Sequence, residues 1–450
     1  MTKGTVMRGL TVLLALTAFL AACGDDDDGG GSSNAGSGKK IDVANAGDVT
    51  LKVLDQQVRS GQDAALKRLN AEFMERYPNV TIERTNRSFE DLQKTVRLAV
   101  TRPNAPDIVQ ANQGYGIMGA LAKAGILLPL DGYADAYGWK DRYSEGLLAF
   151  NSFSANGDKF GTGNLYGISQ AGEIVGVFYN KDKVPEPPKT LAEFESLLEK
   201  AKADGDIGIQ LGNAGDDKFG GIHDYETVLG RTASKEQVRD FVFGRSGGAF
   251  NSPEFEEAAT KFKEWNDAGY LTPKVNGTAY DAAVENFAKG EGYFFIGGTW
   301  NIATLKDAMG DRVGFFILPG ESESDEPIAL GGEDLPWTIT RKSENPDVAA
   351  AYIDFITNEN ATKVLVETGN LPAPPVPEAD RPKSGLEADV FEQWDLLNEN
   401  DGLIPYLDYA YDTAYDDIGG GIQELLDGQQ DPKEFVDSIQ SKYTEFIGGL

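Results

Sequence analysis

Strand-like and helix-like segments alternate along most of this 450-residue sequence. Residues 49–54 predict a strand, and residues 62–77 carry apolar side chains at helical spacing up to Pro78. Residues 80–84 predict a second strand, and residues 89–100 predict a second helix. This alternation is typical of α/β proteins with largely parallel sheets. The chain is long for one doubly wound domain, so we expect two lobes.

Later segments carry signals for helix starts. Thr190 followed by Glu193 has the pattern of a capping box, in which each side chain bonds to the other residue's backbone. Pro253, Pro346 and Pro432 each open an amphipathic segment, and proline is favoured in the first turn of a helix. The helical pattern therefore continues to the end of the chain.

The N-terminus has the features of a secretory signal. Lys3 and Arg8 precede an apolar run, residues 10–22, which is shorter than the about 20 residues that a membrane-spanning helix needs. The run ends in Leu-Ala-Ala-Cys, which resembles the bacterial lipobox. The resemblance implies that residues 1–22 are a lipoprotein signal peptide. It also implies that Cys23, the single cysteine, is lipidated and anchors the protein at the outer face of the bacterial cell membrane.

The segment after this cysteine has the composition of a flexible spacer. Residues 24–40 contain no large apolar side chain, so they cannot bury enough surface to offset the entropy of ordering. We therefore expect residues 23–47 to form a tether between the lipid anchor and the folded part. The aspartate run at residues 25–28 lacks the downstream glutamate of an EF-hand loop, so we predict no metal site there.

Composition excludes several classes of function. With 41 Lys and Arg against 72 Asp and Glu, the net charge is −31, which is unfavourable for nucleic-acid binding. One cysteine and one histidine exclude an internal disulfide and a Cys-rich zinc site, and the sequence contains no nucleotide-binding or serine-hydrolase motif. We therefore predict a binding protein without catalytic residues, metal or cofactor. A carboxylate-pair glycosidase stays open, because the many acidic residues allow many pairs.

Several motifs occur in the order found in one protein family. They are Pro-Asp-Ile-Val at 106–109 with Ala-Gly-Ile-Leu-Leu-Pro-Leu at 124–130, Tyr-Gly-Ile at 166–168 with Phe-Tyr-Asn-Lys-Asp at 178–182, Pro-Pro-Lys-Thr at 187–190, and Phe-Ala-Lys-Gly-Glu at 287–291 with Gly-Gly-Thr-Trp at 297–300. The series resembles solute-binding protein family 1, the extracellular solute-binding lipoproteins of ABC importers that are similar to maltose-binding protein. The chain departs from the family pattern at Ser169, where proline is usual, and at Leu191, where tryptophan is usual.

The resemblance implies a two-lobed periplasmic-binding-protein fold, in which each lobe is a mostly parallel sheet flanked by helices and hinge strands join the lobes. It assigns residues 48–168 and 331–380 to the first lobe, and residues 169–330 and 381–450 to the second. The expected crossings between the lobes lie near residues 169–173, 327–331 and 371–382. Hinge closure around a solute is the motion known for such folds.

The resemblance and the chemistry of sugars, which offer hydroxyl groups and apolar faces, together suggest the ligand contacts. Trp300 corresponds to the family's tryptophan that stacks on the sugar. His223 and Tyr225 are expected in a glycine-rich loop of the second lobe. The other expected contacts lie after predicted strands, in the crossings and near the C-terminus: Gln56, Asn112, Gln113, Glu173, Glu333, Asp334, Tyr406 and Asp408.

The expected function is that of the substrate-binding component of an ABC transporter, which captures a sugar or oligosaccharide and delivers it to the transmembrane permease subunits. We expect a monomer without a nucleic-acid partner. Two alternatives stay open. One is the same fold binding a non-sugar solute, such as a polyamine or a phosphate ester, and the other is a secreted lipoprotein glycosidase.

Overall fold

The computed structural model describes residues 36–215 and 217–450, so the predicted signal peptide and Cys23 lie outside the described residues. The strands are β1 (Val49–Asp55), β2 (Val80–Asn86), β3 (Ile108–Gln110), β4 (Ser152–Phe153), β5 (Asn164–Leu165), β6 (Gly172–Asn180), β7 (Ile209–Gln210), β8 (Phe294–Gly298), β9 (Val313–Phe316), β10 (Ala329–Glu333), β11 (Trp337–Ile339) and β12 (Leu403–Ile404). The helices are α1 (Ser60–Arg76), α2 (Phe89–Thr101), α3 (Ala120–Lys123), α4 (Asp131–Tyr137), α5 (Glu145–Phe150), α6 (Leu191–Ala203), α7 (Phe219–Thr232), α8 (Lys235–Val242), α9 (Pro253–Asp267), α10 (Tyr280–Ala288), α11 (Ile302–Met309), α12 (Pro346–Thr357), α13 (Glu359–Glu367), α14 (Leu386–Glu399), α15 (Ala414–Leu426) and α16 (Pro432–Gly448). Within the two described ranges, none of the helices has the length and hydrophobicity needed to span a membrane.

The first lobe is built on a four-stranded sheet with the order β11–β3–β1–β2. Strand β1 is parallel to both β2 and β3, whereas the returning strand β11 is antiparallel to β3. Helices α1, α12 and α13 share one core with this sheet. Within that core Phe73 lies edge-on to Tyr352, with ring centres 5.4 Å apart. The strands and helices predicted between residues 49 and 100 are confirmed.

The second lobe contains a six-stranded sheet with the order β12–β10–β6–β8–β7, in which β9 also pairs with β6. Strand β6 is buried along its whole length and runs antiparallel to β8, β9 and β10. The two-lobed α/β fold is thus present, but this sheet is mixed and not mostly parallel. The reason is topological. Strand β6 is reached directly from the first lobe. No βαβ connection therefore requires it to be parallel to its neighbouring strands.

Three chain segments cross between the lobes side by side. An antiparallel bridge joins the first crossing to the third at Ala171 and Pro372, and another joins Ile168 to Trp337, next to the first and second crossings. Backbone hydrogen bonds accompany both bridges. Motion between the lobes at these segments stays a prediction, as do the expected crossings near residues 169–173 and 371–382.

The second crossing lies further along the chain than its predicted position at residues 327–331. Strand β10 stays paired with β6 up to Glu333, so the chain passes between the lobes at residues 334–336. A side chain at Gly331 would collide with the backbone of Glu173 in β6. Glycine at this position therefore allows close pairing of the two strands.

Part of the predicted tether contacts the first lobe. Ser37 donates hydrogen bonds from its backbone N–H at 2.8 Å and from its hydroxyl group at 2.9 Å to Asp347 Oδ1. Val43 is buried in the core, and Asn79 Nδ2 donates to its carbonyl oxygen at 2.9 Å. The absence of large apolar side chains holds for residues 24–40, but Ile41 and Val43 provide apolar surface that the first lobe buries.

The predicted helix starts are confirmed in position, because α6, α9, α12 and α16 begin at the expected residues. The predicted capping box of α6 forms only in part. Thr190 Oγ1 accepts a hydrogen bond from the Glu193 backbone N–H at 3.2 Å. The Glu193 carboxylate instead accepts from the Lys189 backbone N–H at 2.8 Å, one residue before the expected donor.

Ile339 in β11 tests how much the returning strand stabilises the first lobe. Its side chain is fully buried, and we expect Ile339→Ala to lower the free energy of unfolding by about 2–5 kcal/mol, because the resulting cavity is only partly filled by its neighbours. Leu98→Ala is the control, since Leu98 is 56% exposed and should change this free energy by less than about 0.5 kcal/mol. Urea unfolding followed by circular dichroism measures both, and equal effects would contradict the assignment.

Candidate functional site

A cavity of about 330 Å³ lies between the two lobes. The first lobe contributes residues that follow β1, β2 and β3. The second lobe contributes residues from β6, α7, α10, α11, α15 and the segment after β12. The lining residues are Gln56, Val58, Arg59, Gln62, Ser88, Phe89, Glu90, Asn112, Glu173, Asp217, Phe219, Ile222, His223, Glu226, Asp281, Trp300, Thr304, Leu335, Tyr406, Asp408, Tyr409 and Tyr415.

The structure brings most of the predicted ligand residues to this cavity. Those that line it are Gln56, Asn112, Glu173, His223, Trp300, Tyr406 and Asp408. The remaining predicted residues are buried outside the lining: Gln113, Tyr225, Glu333 and Asp334. Contact between the lining residues and a ligand stays a prediction.

The first-lobe residues lie where parallel strands end and helices begin. Gln56 follows β1 and Asn112 follows β3, as expected from the rule that open α/β sheets bind ligands beyond the carboxyl ends of their strands. Ser88, Phe89 and Glu90 occupy the equivalent position after β2 and also line the cavity. These three were not predicted, although the same rule applied to β2 points to them.

His223 lies on α7 and not in the predicted glycine-rich loop. A side chain at Gly220 would collide with the backbone of Gly212 after β7, so glycine lets the start of α7 approach that segment closely. Burial lowers the pKa of His223 to about 3, so its imidazole is neutral near pH 7. One face of α7 lines the cavity: Phe219, Ile222, His223 and Glu226.

Tyr225 belongs to the core of the second lobe and not to the cavity lining. It follows His223 by two residues, which places it roughly 200° around the helix axis from that side chain. Its hydroxyl group donates a hydrogen bond to the Phe255 carbonyl oxygen at 3.1 Å, and its ring centre lies 5.5 Å from that of Phe435. The helical period of α7 therefore separates two residues that the sequence placed in one loop.

Glu333 and Asp334 are buried at the second crossing and do not line the cavity. Asp334 accepts hydrogen bonds from Gln56 Nε2 at 2.6 Å and from Gln57 Nε2. Glu333 accepts one from Asn151 Nδ2 at 2.6 Å. Burial raises the pKa of Glu333 to about 8 and that of Asp334 to about 6. The Asp334 carboxyl group holds Gln56, a lining residue, in place.

Gln113 does not line the cavity but forms hydrogen bonds with residues around it. Its Nε2 donates hydrogen bonds to the carbonyl oxygens of Glu333 at 3.1 Å and Asp334 at 3.2 Å. Its Oε1 accepts a hydrogen bond from the Tyr409 hydroxyl group at 3.2 Å. Gln113 thus links the second crossing to a lining residue of the second lobe.

Trp300 follows β8 in a short 3₁₀ turn and is partly exposed at the cavity. Its Nε1 donates a hydrogen bond to the Tyr280 hydroxyl group at 3.2 Å, and its ring centre lies 5.5 Å from that of His223. A side chain at Gly298 would collide with the indole, so glycine there gives the ring its room. The indole therefore has a fixed orientation beside the cavity.

Acidic side chains dominate the charge of the lining. They are Glu90, Glu173, Asp217, Glu226, Asp281 and Asp408, and among the described lining residues they face a single Lys or Arg, Arg59. Burial raises the pKa of Asp217 and of Asp408 to about 7. Burial also raises the pKa of Glu173 and of Glu226 well above the usual range.

Direct contacts join the two lobes around the cavity. Asn112 Nδ2 donates a hydrogen bond to Asp408 Oδ2 at 3.0 Å. Arg59 Nη1 and Asp281 Oδ1 form an ion pair at 2.9 Å near the rim. Each contact joins a first-lobe residue to a second-lobe residue, so the lobes meet directly at two places in the lining.

The lining combines amide groups, carboxyl groups and aromatic rings. Amides and carboxyl groups exchange hydrogen bonds with hydroxyl groups, while aromatic rings cover apolar faces, so such a cavity suits reversible binding of a polar solute. In the described part of the chain, no group of three or more His, Cys, Asp or Glu side chains is arranged to hold a metal ion.

Several lining residues were not predicted from the sequence. Glu226 becomes identifiable once α7 is known to be a helix, because it follows His223 by three residues. Arg59 and Asp281 gave no signal, since charged residues near helix starts are common on protein surfaces. Their place in the lining depends on how the two lobes meet.

Comparisons with known proteins agree with the fold. The family described as "Bacterial extracellular solute-binding protein" matches residues 68–392. The chain is 25% identical to the maltotriose-binding protein of Pyrococcus abyssi (strain GE5 / Orsay), over 84% of this chain and 78% of that protein. It is 25% identical to the maltooligosaccharide ABC transporter solute-binding lipoprotein of Streptococcus pneumoniae (strain ATCC BAA-255 / R6), over 60% of each. The solved structure of a chitin oligosaccharide binding protein shares the fold, with a TM-score of 0.76 and 22% identity over 89% of this chain and 99% of that chain.

Gly114 tests whether close contact between the lobes defines the cavity. It has a φ of +72°, and a side chain there would collide with Tyr409 across the lobe boundary. We expect Gly114→Ala to separate the lobes and to raise the radius of gyration measured by small-angle X-ray scattering. Gly125→Ala is the matched control, because its φ is +66° and no atom lies within 4 Å of the added methyl group. Equal radii for the two variants would contradict this account.

Proposed function

Since the chain belongs to the bacterial extracellular solute-binding proteins, we propose that it captures a sugar or oligosaccharide between its lobes and delivers it to the permease of an ABC importer. The observation that carries this proposal is the cavity between the lobes, where an indole lies among amide and carboxyl groups. The named relatives that bind maltotriose and maltooligosaccharides support a carbohydrate ligand.

Trp300 is the proposed stacking platform for the sugar. Its indole is held by the hydrogen bond to Tyr280 and lies beside the cavity, which reduces the entropy lost when a ligand binds. Gln56 and Asn112 from the first lobe, with Glu173 from the second, are the proposed hydrogen-bonding partners of its hydroxyl groups. The ligand therefore contacts both lobes.

Simultaneous contact with both lobes makes ligand binding favour the closed arrangement. A ligand shifts this equilibrium only by its differential affinity for the closed form. We place the rotation at the three crossings, between a first lobe of residues 48–168 and 334–380 and a second lobe of residues 169–333 and 381–450. Closure creates the surface that the permease recognises.

The protein acts by binding and release and not by catalysis. Membership in a family of binding proteins supports this proposal. Catalysis by a carboxylate pair would appear as a hydrolysis product after incubation with a bound oligosaccharide. We expect the oligosaccharide to be recovered intact.

We place the folded part outside the cytoplasm as a monomer, anchored to the cell membrane through lipid on Cys23 after removal of residues 1–22. A relative named as a solute-binding lipoprotein supports this arrangement. The anchor keeps the binding protein near its permease without a membrane-spanning helix.

A carbohydrate panel tests the proposed ligand class. We expect at least one sugar to raise the melting temperature of the delipidated protein, because a ligand of the folded state stabilises it. We expect Trp300→Ala to weaken that sugar's affinity, measured by calorimetry, by about tenfold or more. Tyr270→Ala is the control, since Tyr270 is also partly buried but does not line the cavity, and it should leave the affinity unchanged. No shift with any sugar would contradict the proposal.

The lipid anchor predicts a change of location. We expect Cys23→Ser to abolish attachment of lipid, so that the protein leaves the membrane fraction and appears in the soluble extracytoplasmic fraction. Fractionation with immunoblotting and mass spectrometry of the N-terminal peptide measures both effects. Retention of Cys23→Ser in the membrane fraction, or an unmodified Cys23 in the native protein, would contradict the prediction.

A further inference from the structure

The cavity between the lobes carries acidic charge that its basic groups do not balance. Among the described residues, six carboxyl groups line it, against one guanidinium group, that of Arg59. Arg59 Nη1 already pairs with Asp281 Oδ1 at 2.9 Å, and its guanidinium group lies 5.6 Å from the centre of the Tyr280 ring. Arg59 can therefore compensate only one of these carboxyl groups, while burial favours the neutral, protonated form of Glu173, Asp217, Glu226 and Asp408 as long as no cation is bound.

Three of these carboxyl groups lie around the side chain of Tyr406, and we call Glu173, Glu226 and Asp408 the acidic cluster. The Tyr406 hydroxyl group donates a hydrogen bond to Glu173 Oε2 at 3.3 Å. Burial raises the pKa of Tyr406 well above its usual value, and the negative charges of all three cluster members raise it further. The cluster is thus one electrostatic unit assembled from β6, α7 and the segment after β12.

Glu226 is the member of the acidic cluster with an unsatisfied carboxyl oxygen. It is 1% exposed and lines the cavity, and its Oε1 accepts a hydrogen bond from the Leu407 backbone N–H at 2.6 Å. Its Oε2 has no hydrogen-bond partner among the described residues. A buried carboxyl oxygen without a hydrogen-bond partner is costly, so a ligand that reaches Glu226 Oε2 with a donor would relieve that cost.

Arg59 does not complete the cluster. Its charge lowers the pKa of Glu173, but burial and the nearby Asp334 outweigh it, so the pKa stays raised. The pKa of Glu226 is raised by burial and then by Asp408, and the one lowering effect comes from the Leu407 N–H. No basic side chain of the described residues lowers the pKa of Glu226, which has the unpartnered oxygen, and none lowers that of Asp408.

The aromatic rings of Tyr406 and Trp300 lie beside the acidic cluster. Tyr406 and Trp300 both line the cavity, and each ring centre lies within 5.6 Å of that of His223 between them. The faces of tyrosine and tryptophan rings attract cations, and neighbouring carboxylates strengthen this attraction. Because His223 is neutral, it adds no opposing charge.

A neutral sugar and a sugar with an ammonium group differ in the interactions that they can make with the acidic cluster. A hydroxyl group donates a hydrogen bond to Glu226 Oε2 but leaves the acidic charge uncompensated. An ammonium group donates up to three hydrogen bonds and also carries the opposite charge, and such charge-assisted bonds are about twice as strong as neutral ones. The buried, unpartnered oxygen and the excess of acid therefore favour an ammonium group.

We propose that the cleft selects a carbohydrate that bears a protonated amine, and that Glu173, Glu226 and Asp408 hold the ammonium group. This inference rests on the proposed function, because it names the class of sugar that the same cavity takes. The sugar ring lies against Trp300, and the amine points toward the acidic cluster.

Sugars that differ at one substituent test the proposal. The panel contains glucose, galactose and cellobiose, their amino counterparts glucosamine, galactosamine and the β-1,4 glucosamine dimer, and the N-acetylated form of each amino sugar. Calorimetry is done at about pH 6.5, below the usual pKa of amines. Among the skeletons that bind, we expect the amine to bind about tenfold or more tighter than both the hydroxyl and the N-acetyl form.

Substitutions in the acidic cluster test the residue assignment. Glu226→Gln keeps the size of the side chain and removes its charge, so we expect the ratio of amine to N-acetyl affinity to fall about tenfold. Asp408→Asn should lower the same ratio. This second variant tests the assignment even if Glu226→Gln does not fold. Glu424→Gln on α15 is the matched control, because Glu424 is exposed outside the cavity and its substitution changes the net charge equally. We expect that control to leave the ratio unchanged.

The outcomes separate this inference from the proposed function. If neutral sugars bind and no amino counterpart binds tighter, the inference is wrong while the proposed function stands. An amine preference that persists in both Glu226→Gln and Asp408→Asn overturns the residue assignment. If putrescine or spermidine binds and no sugar does, both are wrong, because the cavity then takes a cation without a sugar.

Discussion

The buried carboxylate of Asp334 joins the parts from which the cavity is made. It accepts hydrogen bonds from Gln56 and Gln57, in the turn between β1 and α1, and from the backbone N–H of Leu335. The Asp334 backbone N–H donates to the Ala171 carbonyl oxygen in the first crossing at 3.0 Å. Because a buried carboxylate is costly unless its oxygens are satisfied, this arrangement fixes the hinge against the ligand-facing end of the first sheet. The shape of the cavity depends on this junction.

The first lobe could be predicted from the sequence because its rules are local. Helical spacing and strand alternation located α1, β2 and α2, and the carboxyl ends of parallel strands located Gln56 and Asn112. The functions of buried polar residues were harder to predict. Asp334 and Gln113 have the residue types of ligand contacts, yet their hydrogen bonds are made to other parts of the hinge. Residue type alone does not distinguish a ligand contact from the residue that positions it.

The second lobe shows why the rest of the site was not predictable. The glycines at the start of α7 suggested a loop, whereas in the fold Gly220 permits close packing of the helix. Glu226 depends on a bond to Leu407, which lies 181 residues further along the chain. With 72 acidic residues in the sequence, no local pattern identifies which of them become buried without a basic partner. Because acidic residues are abundant throughout the sequence, the acidic lining of the cavity could not be predicted from it.

In the proposed complex, a sugar bound between the lobes places its positive charge in the acidic cluster. A crystal structure of the protein with the solute that co-purifies from its native cells tests this most directly. We expect a carbohydrate against Trp300, with an amine nitrogen within hydrogen-bond distance of Glu226 Oε2. A neutral solute whose hydroxyl groups occupy that position, or a solute bound outside the cavity, would contradict it.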